Sequence, residues 1–347
     1  LLNHTSGIDG DVFTDTGRGD DCIEKYVELL AEQTQNHPLG ATWSYCNAGF
    51  SVLGRVVEKL TGTTWDEAVR TRLSTPLGLQ HTLTLPEDAL LEAAAVGHVT
   101  QDGVKSVAPV WQLPRSIGPA GLVTASAADV LAFARLHLTG GLGPGGDRVL
   151  SEESTAAMAA HQADLPDVYS LGDSWGLGWI RFGWDGQRLY GHDGNTIGQA
   201  AFLRVLPAAG LAVTLLTNND GSRDLYEDLY REVFAELAGL DMPRPLTPPD
   251  PPVEVDIAPY LGRYERAGVD MEVLAGDDGP VLRTTITGPL AELVPDPVDE
   301  YALVPYGPAM FLTRPPEAET WFPVTFYELP TGERYLHFGA RATPRVD

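Results

Sequence analysis

Apolar positions along the first 240 or so residues change period once, from helical spacing to strand spacing. Between residues 21 and 35, Ile23, Tyr26, Val27 and Leu30 mark one helical face, and His37-Pro38-Leu39-Gly40 ends it. Residues 48–60 read as a second helix with Phe50, Leu53, Val57 and Leu60 inward and Gly62 as its stop. Thr64 ahead of Asp66-Glu67 opens a third, running to about Leu73. Thr124-Ala125-Ser126 ahead of Asp129 opens another, and Ser151 caps a further one. From Trp175 the apolar residues alternate or run in short stretches: WGLGWIRFGW, LYGHDG, then QAAFLRVLPAAGLAVTLLTNN, broken by the turn Pro207-Ala208-Ala209-Gly210. That pattern predicts an antiparallel meander, followed by a last helix over about 225–237.

Residues 242–252 read MPRPLTPPDPP. So much proline suits neither a helix nor a central strand, and predicts a stiff, protease-accessible linker between residues 1–241 and residues 253–347. Beyond it, short β runs start at Tyr260-Leu261-Gly262-Arg263-Tyr264, with turns at Asp277-Asp278-Gly279 and Thr331-Gly332. They predict a small barrel or sandwich. No internal repeat is visible.

Composition narrows the function classes. The chain has 347 residues, 43% of them hydrophobic, enough for a sizeable core. Its net charge is −25, and only 3 of its 23 basic residues are lysine. Without a basic stripe, nucleic acid and anionic membrane surfaces are excluded as partners. No apolar run reaches the roughly 18 residues of a membrane-spanning helix. No signal peptide is seen, and no compartment is assigned. Two cysteines, Cys22 and Cys46, make no disulfide framework and have no zinc spacing. The 8 histidines include no His-Glu-x-x-His, so neither a metal nor a cofactor is expected.

Two short segments carry candidate chemistry. In Trp43-Ser44-Tyr45-Cys46-Asn47, Tyr45 and Asn47 share one side of a turn ahead of a helix. A phenol can pass a proton if cations lower its pKa, and an amide side chain offers a donor and an acceptor for clamping a substrate amide. In Gly191-His192-Asp193-Gly194-Asn195, His192 stands on a strand edge as a donor to a substrate carboxylate or to Tyr45. Gly194 permits close approach of a ligand, and the Asn195 N–H points toward an oxyanion. Each segment alone also fits an ordinary turn.

Together the pieces resemble the serine β-lactamase and penicillin-binding protein superfamily, in its class C β-lactamase, D-alanyl-D-alanine carboxypeptidase and esterase branch. LLNHTSGI, HPLGATWSYCNAGFSVLGRVVEKLTG, PAGLVTASAADVLAFARLHL and GHDGNTIGQ follow that family's order across roughly residues 1–240. The resemblance implies a mixed α/β (α+β) fold, an antiparallel sheet flanked by helices plus a helical subdomain. YLGRYE resembles the start of the small lipocalin-like β domain appended to some of these hydrolases. Tyr45 would be the proton relay and Asn47 the amide clamp. His192 would replace the third-motif lysine, Gly194 would keep the strand edge open, and Asn195 would supply one oxyanion donor. The implied activity is acyl transfer from a small-molecule amide or ester: a β-lactam, a D-amino-acid peptide or a small ester.

The departures are equally specific. No lysine follows a serine at Ser-x-x-Lys spacing: Cys22, Val56 and Asp102 precede Lys25, Lys59 and Lys105 by three. In the family the nucleophile helix lies upstream of the HTSG segment, so a chain opening at Leu1 is expected to be truncated. A non-catalytic ligand-binding relative is the alternative. Cys46 stands where serine is commoner, and Asp193 puts an acid beside the site, where it would orient His192 or disfavour anionic substrates.

Overall fold

In the computed structural model, which describes residues 1–101, 103–219, 221–288, 291, 296–315, 318 and 320–347, the alternation after Trp175 forms a six-stranded antiparallel sheet. A short ribbon precedes it, β1 (His98–Gln101) and β2 (Val104–Val107). The sheet strands are β3 (Ala163–Asp164), β4 (Ser174–Trp175), β5 (Ile180–Trp184), β6 (Gln187–Thr196), β7 (Gln199–Leu206) and β8 (Leu211–Thr217), side by side in chain order. The side-chain period of two feeds two cores. Ile180, Phe182, Trp184, Leu189, Phe202 and Leu206 pack on Tyr226, Tyr230 and Phe234 of the Arg223–Ala238 helix. On the other face, Tyr190, Leu203 and Val205 pack with Trp179 against Ala134 of the Ala127–Leu138 helix.

The helix starts follow their caps. Thr64, Ser126 and Ser151 accept hydrogen bonds from the backbone N–H of Glu67, Asp129 and Ser154. Two details differ from the pattern. The first helix is Cys22–Leu30 and stops short of residue 35. There the chain is extended against the N-terminal segment: Asp9 N–H donates to Thr34 O at 3.3 Å and Asn36 N–H to Gly7 O at 2.8 Å. In the Asn47–Thr61 helix the buried face is Ala48, Gly49, Ser51, Gly54 and Glu58, whereas Leu60 is 81% exposed. Close approach selects small residues here, since a Cβ on Gly54 would lie 2.2 Å from Pro119 Cγ.

Residues 242–252 hold neither helix nor strand, and Met242 packs on the sheet core. A meander of β9 (Gly262–Arg266), β10 (Val269–Gly276), β11 (Gly279–Ile286) and β12 (Val298–Ala302) follows. Only Leu303 separates it from β13 (Val304–Gly307), which leads into β14 (Met310–Thr313), β15 (Phe322–Glu328), β16 (Arg334–Phe338) and β17 (Arg341–Pro344). An antiparallel bridge between Tyr264 and Arg345 joins the outer strands, closing the two sheets into an up-and-down barrel. Tyr264, Met271, Val273, Leu282, Phe311, Val324, Phe326 and Leu336 form its core.

That bridge sets the start of β17 beside the end of β9, so two hairpin turns project from one end of the barrel. Both enter the sheet-and-helix unit. Ala340, in the left-handed region at φ 63°, joins the sheet core, and its carbonyl accepts from Tyr45 N–H at 3.0 Å. Ala342 N–H donates to Ser44 Oγ at 3.1 Å, and buried His337 Nδ1 meets Asp167 Oδ2 at 2.8 Å.

Candidate active site

The segment after His4 runs directly against the Tyr45 turn. A Cβ on Gly10 would lie 2.6 Å from Tyr45 O and 2.7 Å from Cys46 Cα, so the contact requires glycine. His4 is fully buried, and its Nδ1 accepts from Cys46 N–H at 2.9 Å. Its ring stacks on Tyr45 with centroids 4.2 Å apart. Burial, then the nearby His192 and Arg341, hold the His4 pKa well below 6.5, so the ring is neutral. Trp175 packs edge-on to Tyr45 at 5.9 Å, and Arg341 Cζ sits 4.8 Å from the Tyr45 ring centroid. Burial raises the Tyr45 pKa, and the Arg341 charge offsets part of that rise. Asn47, first residue of its helix, donates from Nδ2 to Asp11 Oδ1 at 3.3 Å.

The β6 side of the cleft lies opposite. The Tyr45 and His192 ring centroids are 6.1 Å apart, so folding brings these two residues together. His192 Nδ1 bonds to Asp193 O at 2.5 Å. A carbonyl only accepts, so Nδ1 carries the hydrogen and Nε2 keeps its lone pair in the neutral ring. Burial lowers the His192 pKa, although Asp193 works against it, and this favours that neutral form. Nε2 is thus an acceptor near neutral pH, and donation from it requires protonation.

Asp193 holds His192 through its backbone carbonyl, while its carboxylate is engaged elsewhere. The strand alternation turns its carboxylate to the opposite face, where Arg204 binds it through Nη1 at 2.5 Å and Nη2 at 3.1 Å. Arg204 also donates to Tyr226 Oη at 2.6 Å and lies 3.9 Å over the Phe182 ring.

β5 pairs only with Gln187–Gly191 of β6, so the same edge of residues 192–196 has no strand partner among the described residues. Gly194 and Asn195 are exposed there, paired on the far side with Ala201 and Ala200 of β7. A Cβ on Gly194 would meet only Ala201 Cβ, at 3.7 Å, so protein packing does not demand glycine at this position. Gly191 differs, because a Cβ there would lie 1.8 Å from Leu203 O.

Neither the lysines nor the cysteines sit in surroundings that would activate a nucleophile. Lys25, Lys59 and Lys105 are all exposed. Cys46 caps its helix, with Sγ accepting from Gly49 N–H at 3.2 Å, and burial raises its pKa, as it does for Cys22. Four residues of the site went unnoticed in the sequence: His4, Asp11, Arg266 and Arg341. His4 lay inside a quoted segment. The two arginines sit in a β region with no local motif around them.

A family profile described as Beta-lactamase matches residues 1–237. Penicillin-binding protein 4 of Amycolatopsis lactamdurans is 48% identical over 271 residues, covering 77% of this chain and 71% of that protein. The crystal structure of SurE matches with a TM-score of 0.78 at 28% identity, covering 99% of this chain and 77% of that one. SurE solved with D-Leu matches at 0.74 and 27%, with the same 99% and 77% coverage. Both matches take in the barrel as well as the sheet-and-helix unit. The chain belongs to the β-lactamase family and is a homologue of its penicillin-binding proteins.

Proposed function

We propose that this chain forms the substrate-binding and proton-relay part of a serine hydrolase that works through an acyl-enzyme. The observation that carries the reading is the approach of Tyr45 and His192 beside the unpartnered edge of β6. An extended substrate backbone fits such an edge, lying against residues 192–196 as an added strand. In this reading a serine Oγ attacks the amide or ester carbonyl as its proton passes to the lysine of the Ser-x-x-Lys pair, which later returns it to Tyr45, and Asn195 N–H is one of two donors to the oxyanion. Tyr45, a neutral phenol at pH 7, gives its proton to the departing amine or alkoxide. That single hydrogen rests on the neutral His192 ring as a hydrogen bond before reaction and swings to the leaving group as the intermediate collapses. Asn47 holds the substrate amide. Water then attacks the acyl-serine and releases the acid. The substrate class we favour is an amide or ester at a D-configured residue, supported by the similarity to SurE solved with D-Leu.

None of the 347 residues supplies the Ser-x-x-Lys pair, so the mechanism draws its serine and lysine from residues outside them. A fluorophosphonate and a fluorescent penicillin test this. The product of the whole reading frame should be labelled stoichiometrically on a serine three residues ahead of a lysine, and residues 1–347 alone should stay unlabelled. No labelling of the whole product would return the chain to the ligand-binding alternative. Labelling of a serine within residues 1–347 would overturn the assignment of the nucleophile.

A further inference from the structure

We infer that the C-terminal barrel is a working part of the catalytic cleft: Asp11, gripped by Arg266 and Arg341, is a positioning residue that sets Asn47 and, through Arg341, Tyr45. The inference rests on the acyl-transfer reading above. The Asp11 carboxylate accepts from Arg341 Nε at 3.0 Å and Nη2 at 2.9 Å, and from Arg266 Nη1 at 2.8 Å. Both arginines come from the two projecting hairpin turns. Alongside, Asp9 Oδ2 accepts from Ala267 N–H at 2.7 Å, so the same turn is pinned by backbone too. Burial pushes the Asp11 pKa up, but the two guanidinium groups outweigh it and hold the carboxyl ionised.

Two consequences reach the reacting groups. A carboxylate only accepts, so the contact with Asp11 fixes the Asn47 nitrogen toward it and turns Oδ1 away as a free acceptor. The bidentate fork also fixes the plane of Arg341, whose Nη1 donates to Gly339 O at 3.0 Å. All three nitrogens of Arg341 are thereby hydrogen-bonded within the protein. At Tyr45 the guanidinium so fixed places a positive charge over the ring, which favours the phenolate and draws the tyrosine toward proton exchange.

The test uses the full-length, acylating protein with Arg341→Met, Arg341→Lys and Asp11→Asn, following kcat, KM, the pH profile and Tm. In Arg341→Met, kcat and kcat/KM should fall together by about 10²-fold, as misplacement of a reacting group does. The pH limb that Tyr45→Phe abolishes should move to higher pH. Arg341→Lys keeps the charge and loses the fork, so it should restore that limb while kcat stays at least about 10-fold down. Asp11→Asn should raise KM for amide substrates. Folded variants with wild-type kcat and pH profile would overturn the inference alone. Should Arg341→Met not fold, an unchanged kcat in Arg341→Lys would overturn it. A wild-type protein that forms no acyl-enzyme would overturn the acyl-transfer reading and this inference with it.

Discussion

His192 and Asp193 are neighbours in the chain and project from opposite faces of β6, one toward Tyr45 and the other into a buried pair with Arg204. The same motif therefore does two separable jobs. Asp193→Ala leaves the Arg204 guanidinium, 2% exposed, without its counter-charge and should cost about 3–5 kcal/mol. Urea unfolding of residues 1–347 measures it, and a loss below about 1 kcal/mol would mean that Tyr226 and the ring stack suffice. His192→Ala should unfold close to wild type, yet lower turnover of the acylating protein by about 10²–10³, the cost of one lost transition-state contact.

Acid should weaken the fold before any carboxylate titrates. Burial lowers the pKa of His4, His37, His137 and His192, that of His137 to about 4. A folded-state pKa below the unfolded value of 6.5 contributes stability that is present above 6.5 and lost as pH falls toward the folded value. His137 alone accounts for about 3 kcal/mol across that window. The lowered carboxyls of Asp11 and Asp167 act only below their usual 3.8. Urea midpoints should drop between pH 7 and pH 5, and His137→Phe should flatten the slope. Equal midpoints at both pH values would contradict the burial of these rings as neutral groups.

Gly10→Ala tests the contact between the N-terminal segment and the Tyr45 turn. The added methyl meets backbone on the Tyr45 side at 2.6 and 2.7 Å, and backbone cannot rotate away as a side chain does. Overpacking of this kind costs about 1–3 kcal/mol, and here it should also depress acylation by moving Tyr45. An unchanged Tm with unchanged acylation would show that the segment yields freely.

Limited proteolysis checks how the units hold together. Residues 242–252 lack helix and strand, so they should cut first. The two halves should nevertheless co-elute, held by Asp9, Asp11, Ser44, Tyr45 and Asp167 bonding to the barrel. Separation of the fragments under native conditions would make the barrel a tethered module.

What could be read in the chain was local. Caps at Thr64, Ser126 and Ser151 and the meander after Trp175 depend on residues a few positions apart, and they appear where the pattern places them. Tyr45 and His192 were legible because each sits in a segment of several matching residues. Pattern failed where distant backbone decided the outcome. The first helix stops at Leu30 because residues 34–36 bond to Gly7 and Asp9, and Gly54 is buried because Pro119 comes so close. Asp11, Arg266 and Arg341 meet only after a barrel has closed, and no spacing along the chain records that.

The hairpin bearing Ala340 and Arg341 also sets a clock. Synthesis reaches it after Tyr45 and His192 have long left the ribosome, and N-terminal units generally fold as they emerge. Until β17 has emerged and docked, the Tyr45 N–H lacks its Ala340 carbonyl and Asp11 lacks its forked arginine. Each new molecule thus keeps the proposed cleft unfinished until that hairpin has been made and docked, long after the cleft's own residues were joined to the chain.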